Sequence, residues 1–501
     1  MKMPVVWTIG GSDSGGGAGI QADLHTMANF GIHGCSVITA VTAQNTKAVS
    51  AINPISTLMI SQQILSLNSD LPPRAIKTGM LYNSQTVQAV SKHLNDINAP
   101  LVLDPVMVAT SGDSLVQSGF IESIRTKLLT RASIVTPNIQ ETEKLLGRLF
   151  IEQDNLESFD KEIELAAEDL LRLGVKAVLI KGGDRVCSDL YSQDYFSDGN
   201  TKFWITSNRL NRNNTHGSGC SLASAIACGL ANGYSLTDAL VMAKSYVTGA
   251  IRQAKKLGSG SMNLFHVPFN CHEEDFPWIT ETAKAGRERP EFSSCLIEAP
   301  LGFYPIIDSK DLLLKLIKAG STAVQLRIKH LSGSELEREI KECIEISHKY
   351  NCRLFINDYW ELAIKYNAYG VHLGQEDLLD SDVNALEKAG IKLGISTHCH
   401  SEVARALGVR PSYIAIGPIF NTTTKIMDFP PQGVSGLKYW RKVLSYPLVA
   451  IGGIFLDNAK QIIEAGADAI SVVRDISNAT DVEKQCKKWL RLWQKVDYLD
   501  S

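Results

Sequence analysis

The chain has 501 residues, 44% of them hydrophobic and 21% charged, with a formal charge of −3. That length exceeds one ordinary domain, the charge gives no basic excess for a nucleic-acid partner, and no apolar run reaches the roughly 18 residues of a membrane-crossing helix. Composition therefore predicts a soluble globular protein of two or more domains.

The opening residues, MKMPVVWTIGGSDSGGG, turn from a short apolar strand into glycines and lack the apolar core and cleavage site of a signal peptide. Ten cysteines are scattered without a C-x-x-C pair, which reads as reduced thiols and a cytoplasmic location. His398-Cys399-His400 has no second ligand cluster and is not read as a metal site.

Up to about Pro268, strand-like runs alternate with amphipathic helical stretches: VVWTIG, CSVITAV, AIKTGML, PLVLDPVM, SIVTPN and AVLIKGG. This alternation predicts a mostly parallel sheet flanked by helices. Residues 269–299, polar and with prolines near both ends, read as a linker. Eight further apolar runs follow, GFYPIID, AVQLR, RLFIN, GVHLG, KLGIS, YIAIG, LVAIGG and AISVV, separated by helical stretches. Eight β-α units in this length predict a (β/α)8 TIM barrel.

Two glycine features mark the first half. IGGSDSGGGAGIQADL follows a strand and opens a helix, but contains neither G-x-G-x-x-G nor G-x-x-x-x-G-K-[ST], so dinucleotide and Walker readings both fail. THGSGCSLASAIACGL places Gly217 and Gly219 in a tight turn before a helix whose N-terminal N–H groups suit an anion. Two such loops, separated by LDPVM and TPNIQETE, frame a small-molecule site with a phosphate donor.

The segments GGSDSGGGAGIQAD, SVITAVTAQNT, IKTGML, LDPVMVATSGD, TPNIQETE, KGG and NTHGSGCSLASAIA resemble the ribokinase superfamily, and within it the hydroxymethylpyrimidine/phosphomethylpyrimidine kinases. The resemblance implies a ribokinase-like α/β/α sandwich over residues 1–268 that uses ATP. It further implies a pyrimidine pocket lined by Gly11, Asp23, Gln44 and Met80, Mg²⁺ handled by Asp104 and Glu141, and ATP contacts from Asn138, Lys181 and Lys244. Where many ribokinase-like enzymes carry an aspartate base, this family has cysteine, here Cys220. A helix N-terminus lowers a thiol's pKa, so Cys220 is expected to favour the thiolate and to accept the substrate's hydroxyl proton. Asp184 stands where the family often has histidine, and Ser218 where threonine is commoner.

In the second half, polar residues fall at strand ends, where a TIM barrel carries its chemistry. Arg327, Lys329 and Lys425 can converge on a pyrophosphate, and Asp358 with Asp377 can hold Mg²⁺ against it. VQLRIK, ND, VHLGQED, LGIS, GPIFNTTTK, QGV and AIGGI resemble the thiamine phosphate synthases over residues 300–498. That resemblance implies a pyrimidine diphosphate site of Gln325, Arg327, Lys329, Asn357, Ser396 and Lys425. It also implies a thiazole phosphate site of Thr422, Thr424, Gly453, Val473 and Arg474, the last replacing a usually small residue.

The product implied for the first domain is the substrate implied for the second. Both partners are small molecules; no nucleic acid or membrane is expected, and homo-oligomerisation is left open. Two alternatives stand: a pyridoxine-type kinase fused to an unrelated phosphate-binding barrel, and a thiamine-phosphate-binding regulator with one inactive domain.

Overall fold

The structure is a computed structural model describing residues 3–497, apart from 110–111, 114, 151–154, 184–189, 211–214, 298–299 and 423–428. It divides into two compact units, Met1–Glu288 and Arg289–Ser501.

In the first unit the strand Val5–Asp13 pairs in parallel with His33–Gln44 on one side and Ala75–Thr78 on the other. From Ala75–Thr78 the sheet continues in parallel through Leu101–Leu103, Ile134–Val135 and Val178–Ile180. Antiparallel strands complete both edges: Val49–Pro54 at one, and Tyr191–Ser197, Lys202–Asn208 and Trp278–Thr280 at the other. Every parallel strand of this ten-stranded sheet matches one of the six apolar runs. Trp278–Thr280 lies in the stretch expected to be a linker. Its three residues are buried against Lys202–Asn208, an edge pairing that the surrounding polar residues conceal.

Side chains alternate across a strand, and here the alternation separates core from site. Trp7, Ile9, Ile76, Leu101 and Leu103 face a core shared with Ile60, Val87 and Val90 of the helices Thr57–Asp70 and Ser84–Leu94. Thr8 and Lys77, paired in register on neighbouring strands, instead meet the helices Gly19–Asn29 and Ser218–Ala231.

The second unit is a closed barrel of eight parallel strands, from Gly302–Ile307 to Ala469–Val472, in sequence order. All eight predicted runs are found in it. The rings of Tyr304, Phe355 and Tyr413 meet edge to face inside, with centroids 5.4–5.9 Å apart. Gly394 is a packing requirement: a Cβ there would lie 2.0 Å from the Tyr413 ring.

No described helix is long and apolar enough to cross a membrane, and the nine cysteines among the described residues are all free thiols.

Candidate functional site

In the first unit the two glycine loops meet backbone to backbone. Gly217 has φ +87°, and a Cβ on it would lie 1.9 Å from the Gly17 carbonyl oxygen, so only glycine fits. Their contact helps form a cavity of about 1450 Å³, which all twelve residues expected at the kinase site line.

Asp23 is fully buried, and its carboxylate is saturated. One oxygen accepts from Lys77 Nζ at 3.0 Å and Ser224 Oγ at 2.7 Å, the other from Lys77 Nζ at 2.9 Å and Thr8 Oγ1 at 2.6 Å. A carboxylate offers about four lone-pair sites, so none is left for a substrate. Asp23 is thus the anchor of a buried ion pair under the pocket, a correction to its expected pyrimidine contact. Lys77 was missed by sequence reasoning. The available signal was a lysine inside the apolar run AIKTGML, which must find a carboxylate if buried on both faces.

Met80 is buried, with its sulfur against Gly11. Gln44 approaches His216 at 3.1 Å, and His216 approaches the Asp13 carboxylate at 3.1 Å.

At the opposite side of the cavity Lys181 Nζ lies 3.0 Å from Asp104 Oδ1 and 3.9 Å from Glu141 Oε2. A Cβ on Gly219 would lie 3.2 Å from the same ammonium, which puts the cation beneath the helix N-terminus. Burial opposes the Lys181 charge, but the two carboxylates outweigh it and raise its pKa. Asn138 and Glu141 form a reciprocal capping box at the start of Ile139–Leu146: the Asn138 N–H donates to Glu141 Oε2 at 2.8 Å, and the Glu141 N–H to Asn138 Oδ1 at 2.8 Å. The Asn138 side-chain oxygen is therefore committed to the helix. Asp104 Oδ2 is buried and has no hydrogen-bond partner among the described residues, a hard oxygen suited to Mg²⁺.

Burial and the nearby Asp104 push Glu141 up to about 7, against the pull of Lys181. A carboxyl raised on folding from 4.5 binds its proton more tightly folded than unfolded, so its stability contribution falls as pH rises from 4.5 to 7. Glu141→Gln, which keeps the capping acceptor, is expected to raise the melting temperature at pH 8 but not at pH 4.5. Kinase turnover should fall about 100-fold. Melting curves at both pH values check the first expectation.

Lys244 donates to Asp194 Oδ2 at 2.7 Å and Ser192 Oγ at 3.0 Å, and Asp194 Oδ1 accepts from the Gly182 N–H at 3.0 Å. Its charge is neutralised inside the protein, where it braces the Lys181-Gly182-Gly183 turn.

Cys220 is half-buried at the cavity wall in the first turn of Ser218–Ala231. Its thiol is pushed up to about 11, chiefly by burial, with Lys77 pulling down and Asp23 and Asp104 pushing up. Against the expected thiolate, desolvation and two carboxylates outweigh the pull of Lys77 and of the backbone hydrogen bond with Gly19. At pH 8 alkylation of Cys220 should be about 100-fold slower than for an ordinary thiol, with a midpoint near 11. Mass-spectrometric mapping across pH tests this, and a midpoint below 9 would contradict it. Cys228, two turns on, is fully buried and its thiol is raised further by burial.

In the barrel, Asp358 sits at the end of the strand Arg353–Asn357 with φ +68°. This left-handed conformation is tolerated best by Gly, Asn and Asp. Its carboxylate pairs with Lys329 and accepts from Asn357 Nδ2 at 2.7 Å. Asp377 is raised by burial and by the adjacent Asp358 carboxylate. Two neighbouring carboxylates fit a hard cation that keeps waters and phosphate oxygens as its other ligands. Arg327 has no ion pair or side-chain hydrogen bond among the described residues.

Gln325 and Ser396 are joined by a chain that sequence reasoning missed. Gln325 Nε2 donates to Tyr304 Oη at 3.3 Å, Tyr304 and Tyr413 hydroxyls lie 3.0 Å apart, His372 Nδ1 is 2.7 Å from Tyr413 Oη, and His372 Nε2 is 2.8 Å from Ser396 Oγ. Burial lowers His372 to about 4, so it is neutral and sets Ser396 by hydrogen bonding alone. The signal was a polar residue at an interior position of GVHLG and of YIAIG. The Ile451↔Ser471 register places Gly453 and Val473 two residues beyond a paired position on adjacent strands, with Arg474 next and exposed. Thr422 is described; Thr424 and Lys425, like Asp184, lie outside the described residues.

Comparison with known proteins follows this division. The phosphomethylpyrimidine kinase family profile matches residues 13–264, and the thiamine monophosphate synthase profile residues 303–476. The thiamine biosynthetic bifunctional enzyme TH1 of Arabidopsis thaliana is 36% identical over 505 aligned residues, covering 97% of this chain and 92% of the plant protein. The thiamine-phosphate synthase of Photorhabdus laumondii is 48% identical, covering 40% of this chain and 93% of its own. Among solved structures, the pyridoxal kinase of Staphylococcus aureus in complex with AMP-PCP and pyridoxal is 31% identical with a TM-score of 0.51, covering 56% of this chain and all of its own.

Proposed function

Because the chain belongs to the bifunctional thiamine biosynthetic enzymes, a hydroxymethylpyrimidine/phosphomethylpyrimidine kinase joined to a thiamine-phosphate synthase, we propose how its residues divide the work. The kinase unit phosphorylates 4-amino-5-hydroxymethyl-2-methylpyrimidine to the monophosphate and then the diphosphate with ATP. The barrel couples the diphosphate to hydroxyethylthiazole phosphate, giving thiamine phosphate and pyrophosphate. The observation that carries this reading is the pair of separate acidic-and-cationic clusters, Asp104/Glu141/Lys181 and Asp358/Asp377/Lys329, one in each unit.

In the kinase, Gly11, Gln44 and Met80 hold the pyrimidine, and Lys181 with the N–H groups after Gly217 and Gly219 holds the transferring phosphate. Asp104 and Glu141 would hold Mg²⁺, which when bound screens phosphate charge. Phosphoryl transfer depends mainly on positioning and charge stabilisation. Cys220, a thiol rather than a thiolate in the free site, accepts the substrate's hydroxyl proton only after its own proton has left to solvent, so its part in the step grows as pH rises toward about 11. Asn138 shapes the ATP loop through its cap, and Lys244 does so through Asp194.

In the synthase, Gln325, Asn357 and Ser396 orient the pyrimidine diphosphate, while Arg327, Lys329 and Lys425 neutralise its pyrophosphate as it leaves. Asp358 and Asp377 would hold a second Mg²⁺ that adds positive charge there. Thr422, Thr424, Gly453 and the Val473-Arg474 backbone take the thiazole phosphate. The free thiols fit a cytoplasmic setting.

A second reading of the kinase pocket, phosphorylation of pyridoxal, is favoured by the likeness to the Staphylococcus aureus enzyme. Assay of the full chain with ATP, Mg²⁺, thiazole phosphate and either hydroxymethylpyrimidine or pyridoxal decides between them. Thiamine phosphate should form from the former. Turnover of pyridoxal alone would remove the proposal.

A further inference from the structure

Gln432 immediately precedes the barrel helix Gly433–Val443, and Gln432, Gly436 and Trp440, four residues apart, share one face of it. Gly436 leaves room for the glutamine, since a Cβ there would lie 2.8 Å from Gln432 Cβ. The side chain meets the buried Trp440, whose Nε1 donates to Gln432 Oε1 at 2.8 Å. An indole N–H can only donate, so the amide oxygen must face it. The amide nitrogen then donates to the His398 and Gly417 carbonyl oxygens, each at 3.1 Å. Every partner of this amide has a single possible role, and its orientation is fixed.

Those two carbonyls stand where a ladder ends. Thr397↔Ile416 is the last register pair of the strands Lys392–Thr397 and Tyr413–Ile416, and the Gly417 N–H donates to the Thr397 carbonyl at 3.2 Å. His398 and Gly417 come next, and the Gln432 amide bridges them as a side-chain rung. Backbone bonds reinforce the junction: the Gln432 N–H donates to Pro418 at 2.9 Å and the Gly433 N–H to Ile419 at 3.0 Å. Phe429 also stacks on the His398 ring, with centroids 5.1 Å apart. On its other side the same segment reaches a third strand, Leu448–Ile451. The Ile419 and Phe420 N–H groups donate to the Ile451 and Gly452 carbonyls at 2.9 and 3.0 Å. The fit is close, for a Cβ on Gly452 would lie 2.7 Å from Pro418 Cα, and one on Gly453 2.6 Å from the Asn421 carbonyl oxygen.

We infer that Gln432, aimed by Trp440, is a positioning residue of the synthase. It ties the strand that delivers Ser396, two residues before His398, to the segment that packs on Gly453. The pyrimidine and thiazole-phosphate sides of the site thereby keep one spacing. A misplacement of about 1 Å between reacting groups costs on the order of 100-fold in rate, so a rigid tie at this point matters to the coupling. The tie itself needs no substrate. Its effect on the reaction rests on the proposed roles of Ser396 and Gly453.

Full-length variants assayed with Mg²⁺, pyrimidine diphosphate and varied thiazole phosphate test the inference. Gln432→Met should raise KM for the thiazole phosphate about tenfold, since two carbonyls lose their donor, while the kinase unit makes diphosphate at the parental rate. Gly436→Ala, which crowds the amide without removing it, should raise KM in the same direction. Gln432→Glu distinguishes the hydrogen bonds from packing. Its carboxyl keeps an acceptor for Trp440, offers no donor when ionised and regains one O–H donor when protonated. The titratable neighbours His398 and Glu402 are bonded to each other at 2.7 Å. Activity of Gln432→Glu relative to the parent chain should therefore rise as pH falls from about 8 to about 5.5, whereas that of Gln432→Met stays level. Parallel profiles, or a parental KM in Gln432→Met, would overturn the inference. Hydrogen exchange read by mass spectrometry answers without activity. Peptides holding Ile419 and Phe420 should exchange faster in Gln432→Met, and unchanged exchange would equally sink the idea. Should the parent chain form no thiamine phosphate, the synthase reading would fall and the exchange result would still decide the tie.

Discussion

Lys77→Ala is expected to destabilise the kinase unit by about 3–5 kcal/mol, because removing one member of a buried ion pair strands the other charge. Lys77 is 1% exposed and Asp23 fully buried, and their 2.9 Å contact is supported by Thr8 and Ser224. Burial opposes the Lys77 charge, but Asp23, Cys220 and Asp104 raise its pKa. The double variant Asp23→Leu/Lys77→Met should recover most of the loss, since apolar replacement of a buried pair is often neutral. Denaturant unfolding of the full chain checks both, and equal losses in the single and double variants would show that the pair is not what stabilises the site.

The same pair controls the neighbouring thiol. Lys77 pulls the Cys220 pKa down and Asp23 pushes it up, so Asp23→Asn should move the alkylation midpoint of Cys220 below that of the parent chain. The pair thus serves both stability and chemistry, which explains a buried charge where an apolar pair would pack as well.

The distribution of the sequence's information follows from what patterning encodes. Central parallel strands are buried on both faces and read as apolar runs, so all six in the first unit and all eight in the barrel were legible. The antiparallel strands Val49–Pro54, Tyr191–Ser197, Lys202–Asn208 and Trp278–Thr280 were not, because their polar residues blend into the loops. Residue types also carried the acidic and cationic clusters, since Asp104, Lys181, Asp358 and Lys329 do converge as ion pairs. What a side chain is already bonded to is a three-dimensional fact. Nothing in IQAD says that Asp23 is saturated, nothing in VMAKSY says that Lys244 faces Asp194, and the rise of Cys220 to about 11 depends on burial and on carboxylates distant in sequence.

Asp358→Ala is expected to reduce thiamine phosphate formation about 100- to 1000-fold while pyrimidine diphosphate still accumulates. Asp358 is the pivot of the barrel cluster: it pairs with Lys329, accepts from Asn357 and raises Asp377. Asp358→Asn separates charge from shape. Asparagine tolerates φ +68° as aspartate does, so a loss close to that of alanine assigns the effect to charge. Asp377 should then titrate lower, with its neighbour's repulsion gone. Cys220→Ala provides the converse, slowing pyrimidine phosphorylation while the barrel still couples diphosphate supplied from outside. The two clusters lie in units that each hold their own core, so the defects should complement when the two variants are mixed. If either single substitution silenced both half-reactions, the assignment of one reaction to each unit would have to be abandoned.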